Sequence, residues 1–284
     1  MKKITQTGVL FVFLGLLLSS FPSCEEIPPV IPSGQNNPDT AIDVSQQKRQ
    51  VLIEEFTGVR CVNCPAGSAE IQDLLLVYGE QLVAISIHAG EYSPPLPESM
   101  YDFRTEEGDQ LINFLGAPFG YPSAAVNRKL FDGEFSVQLS KAKWAGYIAQ
   151  EAAEDPRVKI GIETTYSDSN RSLEVKVTLY PQEDLSVEDL RLSVAITEDG
   201  IIDYQVTPDG EVPDYEHRHV LRDMLTAYDG DPITEALLPG SSPVFTYSFQ
   251  VPADWNEEHC HVIAFVSKAG ADKDVLQVHQ VEMK

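Results

Sequence analysis

The chain has 284 residues, of which 43% are hydrophobic and 23% are charged, a composition typical of a globular protein long enough for two domains. Its 44 acidic residues outnumber the 20 basic ones and give a formal net charge of -24 at pH 7. Because such a surface repels polyanions, we expect neither nucleic acid nor an anionic membrane surface as a partner.

The N-terminal residues indicate export from the cytoplasm. A basic "MKK" precedes the apolar run "GVLFVFLGLLLSSF", which has the length of a signal peptide and is short for a membrane span. The cysteine that follows resembles the lipid-carrying cysteine of a bacterial lipoprotein, although Phe21 and Pro22 depart from the usual small-residue motif. We predict a signal peptide over residues 1–23, a membrane anchor through lipid at Cys24, and a flexible tether over residues 24–49, which are rich in Pro, Asn, Gln and Ser. An ordinary secretory signal with an incidental cysteine is the alternative.

Residues 50–156 are predicted to alternate strands with helices. Continuous apolar segments indicate buried strands, and apolar residues at spacings of three and four indicate helices. In chain order the pattern predicts a strand over 51–58, a helix from Ser68 to Gly79, a strand over 82–89, a helix over 105–116, a strand that opens at Pro122, and a last helix marked by Trp144, Ile148 and Ala152.

Cys61 and Cys64 stand between the first predicted strand and its helix, with two residues between them. Thiol–disulfide exchange needs one thiolate that attacks and a second thiol that resolves the mixed disulfide. This spacing places both sulfurs on the first helical turn, where the partial positive charge of the helix N-terminus stabilises a thiolate. Arg60 adds a full positive charge beside Cys61, so we predict Cys61 as the nucleophile and Cys64 as the resolving thiol.

Two other interpretations of the cysteine pair stay open. A structural zinc site needs four ligands, and the sequence has no second CxxC and no suitably spaced histidine pair. We therefore predict no metal site and no cofactor. An inactive relic of a redox site, kept as a scaffold, is the more serious alternative because a fold does not determine a function.

The order strand, CxxC, helix, strand, helix, proline, strand and helix resembles the thioredoxin family, as does the "GYP" that opens the third strand. In that family the matching proline has a cis peptide bond and faces the cysteine pair, and the backbone of the residue before it pairs with a substrate peptide. The resemblance therefore implies substrate-binding roles for Tyr121 and Pro122. It also implies that Glu55, six residues before Cys61, is a buried acid that moves protons for Cys64. A solvated acid at the end of a strand is the alternative.

Residues 157–284 are predicted to form an all-β sandwich of immunoglobulin-like architecture. Short alternating segments separated by turn residues indicate antiparallel strands, and "SDSN" indicates the turn of a hairpin. Cys260 shares one strand face with apolar residues and is predicted to be a buried, inert thiol. His217, His219 and Arg222 suggest an anion site, and a strand with a solvated polar face is the alternative.

The lipoprotein signal and the segments "EEFTGVRCVNCPAG", "ISIHAG", "GYPSAAVNR" and "HVLRDML" together resemble the family of Gram-negative lipoproteins named for a twenty-eight-kilodalton outer membrane protein. The resemblance covers the mature chain and implies outer-membrane attachment, on the periplasmic side or at the cell surface, with a thioredoxin-like domain. We predict a thiol–disulfide oxidoreductase that acts on the thiols or disulfides of exported proteins. The alternative is a surface binding or adhesion lipoprotein in which the thioredoxin-like domain is a scaffold.

Overall fold

A computed structural model describes residues 42–284, so the predicted signal peptide and Cys24 lie outside the described residues. Three α-helices occur in this part of the chain: α1 (Cys64–Tyr78), α2 (Glu106–Leu115) and α3 (Lys141–Ala152). The strands are β1 (Val51–Thr57), β2 (Leu82–His88), β3 (Ser123–Val126), β4 (Leu139–Ser140), β5 (Val158–Ser167), β6 (Ser172–Pro181), β7 (Leu190–Glu198), β8 (Ile201–Thr207), β9 (Gly210–His217), β10 (Val220–Met224), β11 (Asp231–Pro232), β12 (Val244–Gln250), β13 (Cys260–Lys268) and β14 (Val275–Glu282).

Helix boundaries follow from local backbone chemistry. Helix α1 begins at Cys64, four residues earlier than the periodicity alone predicts, because Pro65 fits the first turn, where its missing N–H costs nothing. It ends where Gly79 adopts a positive φ of 52°. Helix α2 begins after Thr105, whose hydroxyl accepts a hydrogen bond of 2.9 Å from the backbone N–H of Gly108.

Nine strands form one mixed sheet in the order β14-β13-β7-β10-β2-β1-β3-β4, with β11 paired to β7. Strand β1 runs parallel to β2 and antiparallel to β3. All residues of β1 and β2 are buried, because α1 and α3 pack on one face of these strands and α2 packs on the other. The prediction that both are buried strands is confirmed.

A three-stranded sheet, β12-β6-β5, packs against β7 and β13 of the large sheet. Alternate residues of β13, beginning with Cys260, point into this core, and the intervening residues Ile263 and Phe265 point into the core on the other face. Cys260 is a free buried thiol, as predicted, and burial raises its pKa to about 12. That it is inert stays a prediction.

The chain is mostly β, with a mixed sheet and helices, as predicted at this coarse level. The sheet crosses the predicted boundary between 50–156 and 157–284, because β10 pairs with β2 through Val220 and Ser86. The backbone N–H of Ser86 also donates a hydrogen bond of 2.7 Å to the carbonyl of His219. The two-domain division stays a prediction, and the two segments share one sheet.

The last part of the predicted tether is packed on the folded body. Gln47 donates a hydrogen bond of 2.8 Å to the carbonyl of Ile160, and Arg49 is buried, with a guanidinium nitrogen 2.6 Å from the carbonyl of Val275. The prediction of a flexible tether up to residue 49 is therefore wrong at its end, because these side chains satisfy backbone groups of distant strands. Within residues 42–284, no helix combines the length and apolarity needed to cross a bilayer.

Candidate functional site

Cys61 and Cys64 form a disulfide at the start of α1. Their Cα atoms lie 5.4 Å apart, and the backbone N–H of Cys61 bonds to the carbonyl of Gly58 in the turn that follows β1. Both residues are buried, with Cys61 3% exposed and Cys64 1% exposed. Cys64 is the first residue of α1 and Cys61 lies in the turn before it, so the prediction that both sulfurs lie on the first helical turn holds for Cys64 alone. Solvent scarcely reaches either residue.

Glu55 lies on β1 and is completely buried. Burial raises the pKa of its carboxyl group to about 8, and weak hydrogen bonds of 3.4 Å from the hydroxyls of Ser68 and Ser86 act in the opposite direction. The other carboxylate oxygen has no hydrogen-bond partner among residues 42–284. A carboxyl group in this environment can gain or lose a proton near neutral pH, and the alternative of a solvated acid is wrong.

The Tyr121–Pro122 peptide bond is cis. Pro122 lies directly against α1: a Cβ atom placed on Gly67 would stand 2.7 Å from the Cβ of Pro122, and it would also collide with the Glu55 carboxylate. Gly67 is therefore the point at which the helix, the buried acid and the cis-proline meet. The Tyr121 hydroxyl donates a hydrogen bond of 3.2 Å to the carbonyl of Ala89.

Arg60 is exposed, and its guanidinium group is directed to a neighbouring loop. It donates hydrogen bonds of 2.8 Å to the carbonyl of Pro94 and 2.5 Å to that of Pro95. These bonds fix the segment 94–95 beside the CxxC turn. The predicted electrostatic effect of Arg60 on Cys61 stays a prediction.

The hairpin of β8 and β9 packs on the turn that holds Cys61, a contact that the sequence does not predict. Gln205 of β8 donates hydrogen bonds to the carbonyls of Gly58 (3.3 Å) and Cys61 (3.1 Å). The next residue, Val206, donates its backbone N–H to the carbonyl of Val59 at 2.8 Å. These contacts tie the turn that holds Cys61 to residues more than 140 positions later in the chain.

A cavity of about 300 Å³ lies between this hairpin and α1. Its polar lining includes Glu55, Cys64, Ser68, His88, His217 and His219. Burial lowers the pKa of His217 to about 4 and that of His88 well below its ordinary value, so both imidazoles are uncharged at neutral pH.

The structure separates Arg222 from the two histidines of the predicted anion site, which both line the cavity. His217 ends β9 and His219 has a left-handed backbone with φ 54°, so the segment is not one continuous solvated strand. His219 lies with Nδ1 3.3 Å from Asp199 and Nε2 3.0 Å from Nε2 of Gln72, at the edge of the cavity. Arg222 instead forms a 3.0 Å ion pair with Glu198, outside the cavity.

A family model described as "Outer membrane protein Omp28" matches residues 109–284 of the chain. No curated protein sequence matches this chain. Among solved structures, the chain is similar to HBP35 of Porphyromonas gingivalis, with a TM-score of 0.68 and 17% identity, over 83% of this chain and 76% of that chain.

Two further solved structures are similar. A structural-genomics target from Agrobacterium tumefaciens aligns with a TM-score of 0.51 and 13% identity, over 82% of this chain and 94% of that chain. A domain of the outer membrane lipoprotein Omp28 from Porphyromonas gingivalis is 16% identical and covers 45% of this chain and 89% of that chain, with a TM-score of 0.32. At these identities the likeness to HBP35 and to the Agrobacterium protein concerns the fold alone.

Proposed function

The chain belongs to the Omp28 family of outer membrane proteins, and from this premise we propose that it is a lipid-anchored thiol–disulfide oxidoreductase of the bacterial envelope. Under this proposal, residues 50–156 are a thioredoxin-like domain, residues 157–284 add an immunoglobulin-like sandwich, and Cys24 carries the lipid. The substrates are exported proteins with exchangeable thiols or disulfides, met on the periplasmic side of the outer membrane or at the cell surface.

The observation that carries this proposal is the placement of the Cys61–Cys64 disulfide at a helix N-terminus above a buried acid. The partial positive charge of the helix N-terminus stabilises a thiolate close to it. Glu55 has a pKa of about 8, which suits proton transfer to and from a thiol near neutral pH. A disulfide that only stapled a turn would need no such acid beneath it.

The exchange reaction uses these groups in two steps. The Cys61 thiolate attacks one sulfur of a substrate disulfide, which forms a mixed disulfide and releases one substrate thiolate. Glu55 in its ionised form then takes the proton of Cys64, and the Cys64 thiolate attacks the sulfur of Cys61. This second step re-forms the Cys61–Cys64 bond, releases the second substrate thiolate and completes the transfer of two electrons. In the reverse direction the same pair oxidises a substrate dithiol.

Insulin disulfide reduction, driven by a glutathione buffer, tests this proposal on the full chain. We expect Cys61→Ser to abolish turnover and Cys64→Ser to accumulate mixed disulfides that gels resolve without reductant. Cys260→Ser is the matched control, because that thiol is buried in a different core, and it should retain activity. Absence of exchange by the unmodified protein at every glutathione ratio would overturn the proposal.

Exposed aromatic residues favour a binding function as the second candidate. Phe119 is 90% exposed and Phe135 is 96% exposed, and both border a groove of about 460 Å³ that Pro122 also lines. Exposed apolar side chains grouped in this way are typical of interaction surfaces. If binding is the function, Cys61→Ala leaves surface attachment of cells unchanged, whereas Phe119→Ser combined with Phe135→Ser removes it. Loss of attachment on Cys61→Ala alone would support exchange instead.

A further inference from the structure

The turn that carries Cys61 is held from two sides. On one side, the hairpin of β8 and β9 binds the turn before the helix through Gln205 and Val206. On the other side, the backbone N–H of Arg60 donates a hydrogen bond of 3.0 Å to the carbonyl of Tyr92. Cys61 and Cys64 are 3% and 1% exposed in this oxidised form, so the disulfide presents little surface to a large protein reductant.

The cavity beside α1 leads from solvent to Cys64 and is wide enough for a small molecule but not for a protein. Exposed residues, Ala69, Glu216 and Arg218, line its solvent side, and the buried residues Glu55 and His88 line its interior. Its volume of about 300 Å³ is at the lower end of the range for ligand pockets, roughly 300–1,000 Å³. This volume suits a ligand of tripeptide size or smaller.

The cavity meets only one member of the cysteine pair. Cys64 lines it, and Cys61 is not among its lining residues in the described part of the chain. The remaining polar lining consists largely of uncharged hydrogen-bonding groups, including Gln72 and the buried imidazole of His217. Such groups can bind the amide or carboxylate of a small thiol without the cost of burying an unpaired protein charge.

We propose that a low-molecular-weight thiol of tripeptide size or smaller enters this cavity and reduces the resting disulfide by attack on Cys64. This inference rests on the proposed exchange function and names the class of reductant that resets the pair. The small thiol attacks Cys64, the first residue of α1, and Cys61 leaves as a thiolate. The Cys61 thiolate is then ready to attack a substrate.

Two molecules of the small thiol balance the reaction. The first thiolate attacks the sulfur of Cys64, the Cys61–Cys64 bond breaks, and Cys61 departs as a thiolate. The second thiolate attacks the small-molecule sulfur of the mixed disulfide and releases Cys64, which takes its proton from Glu55. The products are one small-molecule disulfide and the protein dithiol, so two electrons have moved from the two thiols to the protein.

Adduct mapping identifies the sulfur that is attacked. The oxidised full chain is mixed briefly with reduced glutathione, quenched in acid, alkylated and analysed by peptide mass spectrometry. We expect glutathione on Cys64 and the alkyl group on Cys61, with at least tenfold preference. Glutathione mainly on Cys61 would overturn this inference and leave the exchange function standing, whereas no reaction of the folded protein with glutathione or dithiothreitol would overturn both.

A matched pair of variants tests the route. Ala69 and Ala66 are both exposed on α1, but only Ala69 lines the cavity. We expect Ala69→Phe to slow reduction by glutathione at least tenfold and Ala66→Phe to change it less than twofold. Equal rates for the two variants would overturn the route through the cavity.

The size of the reductant gives a second test on the unmodified protein. A protein dithiol of thioredoxin size should reduce the disulfide at least tenfold more slowly than glutathione at equal thiolate concentration, and an equal rate would overturn the inference.

Discussion

Glu55→Gln tests whether a carboxyl group is buried in its neutral form beneath the disulfide. Glutamine has nearly the shape of a protonated glutamate and does not ionise, so the variant keeps the packing and removes the titration. Glu55 is completely buried, and within residues 42–284 its ionised form is favoured by two hydroxyl contacts of 3.4 Å, from Ser68 and Ser86. We therefore expect its titration to weaken the folded state as pH rises.

The magnitude follows from the two pKa values of the group. In the unfolded chain the carboxyl group has its ordinary pKa near 4.5, and in the folded chain burial raises it to about 8. Between these values the unfolded chain is ionised and the folded chain is protonated, so folding takes up a proton and stability falls with pH. The slope is about 1.4 kcal/mol for each pH unit, and the loss from pH 5 to pH 8 is about 3 kcal/mol.

Urea unfolding of both proteins at pH 5, 6, 7 and 8, with the disulfide intact, measures this difference. Glu55→Gln should match the unmodified protein near pH 5 and exceed its free energy of unfolding by about 3 kcal/mol at pH 8. Glu98→Gln is the control, because Glu98 is exposed and its removal should give no such trend. Parallel stability curves for Glu55→Gln and the unmodified protein would refute a neutral buried carboxyl group.

Two further substitutions test the packing around the site. Gly67→Ala places a methyl group 2.7 Å from the Cβ of Pro122, so we expect a loss of about 1–3 kcal/mol in urea unfolding, whereas Gly146→Ala, on an open helix surface, should be neutral or stabilising. An equal effect of both glycine substitutions would contradict the close approach at the cis-proline. Arg128→Met removes a buried partner that donates bonds of 2.8 and 2.7 Å to Glu54, and it should cost about 3–5 kcal/mol because a buried charge is left unpaired. Combining it with Glu54→Gln should recover part of that loss, and a fully additive double variant would contradict the pairing.

Local patterns were sufficient to predict the part of the site that lies close together in sequence. The apolar runs of β1 and β2 require burial on both faces, and the residues between them form the CxxC turn and α1. The resemblance to thioredoxin supplied the cis bond before Pro122 and the buried position of Glu55, which periodicity alone leaves open. Both features agree with the structure.

The packing of the β8–β9 hairpin on the turn that holds Cys61 could not be predicted in this way, because it depends on contacts between residues more than 140 positions apart. The periodicity of a strand does not indicate which distant part of the chain the strand will contact. One signal was nevertheless present in β8, where the inward positions Asp203 and Gln205 are polar. Asp203 accepts hydrogen bonds from the backbone of Met100 and Tyr101, and Gln205 donates to the carbonyl of Cys61. Polar residues on the buried face of a strand indicate specific polar partners.

The surroundings of His217 and His219 could not be predicted for the same reason, because they depend on residues far away in the sequence. A strand with alternating polar residues is usually solvated on one face, but the chain turns between β9 and β10. His219 then meets Gln72 of α1 and Ser86 of β2, and His217 packs against His88 of β2. The shared sheet explains why this is possible. Strand β10 pairs with β2, so residues from the second half of the chain lie beside the cysteine pair of the first half.

A redox titration of the full chain tests the central claim most directly. The protein is equilibrated in thiol–disulfide buffers that span about -300 to -100 mV, and the free thiols of Cys61 and Cys64 are counted by alkylation and mass spectrometry. We predict one reversible two-electron transition with a midpoint between about -270 and -120 mV, the range of thiol–disulfide oxidoreductases. A pair that stays oxidised throughout this range while the protein remains folded would contradict the exchange function.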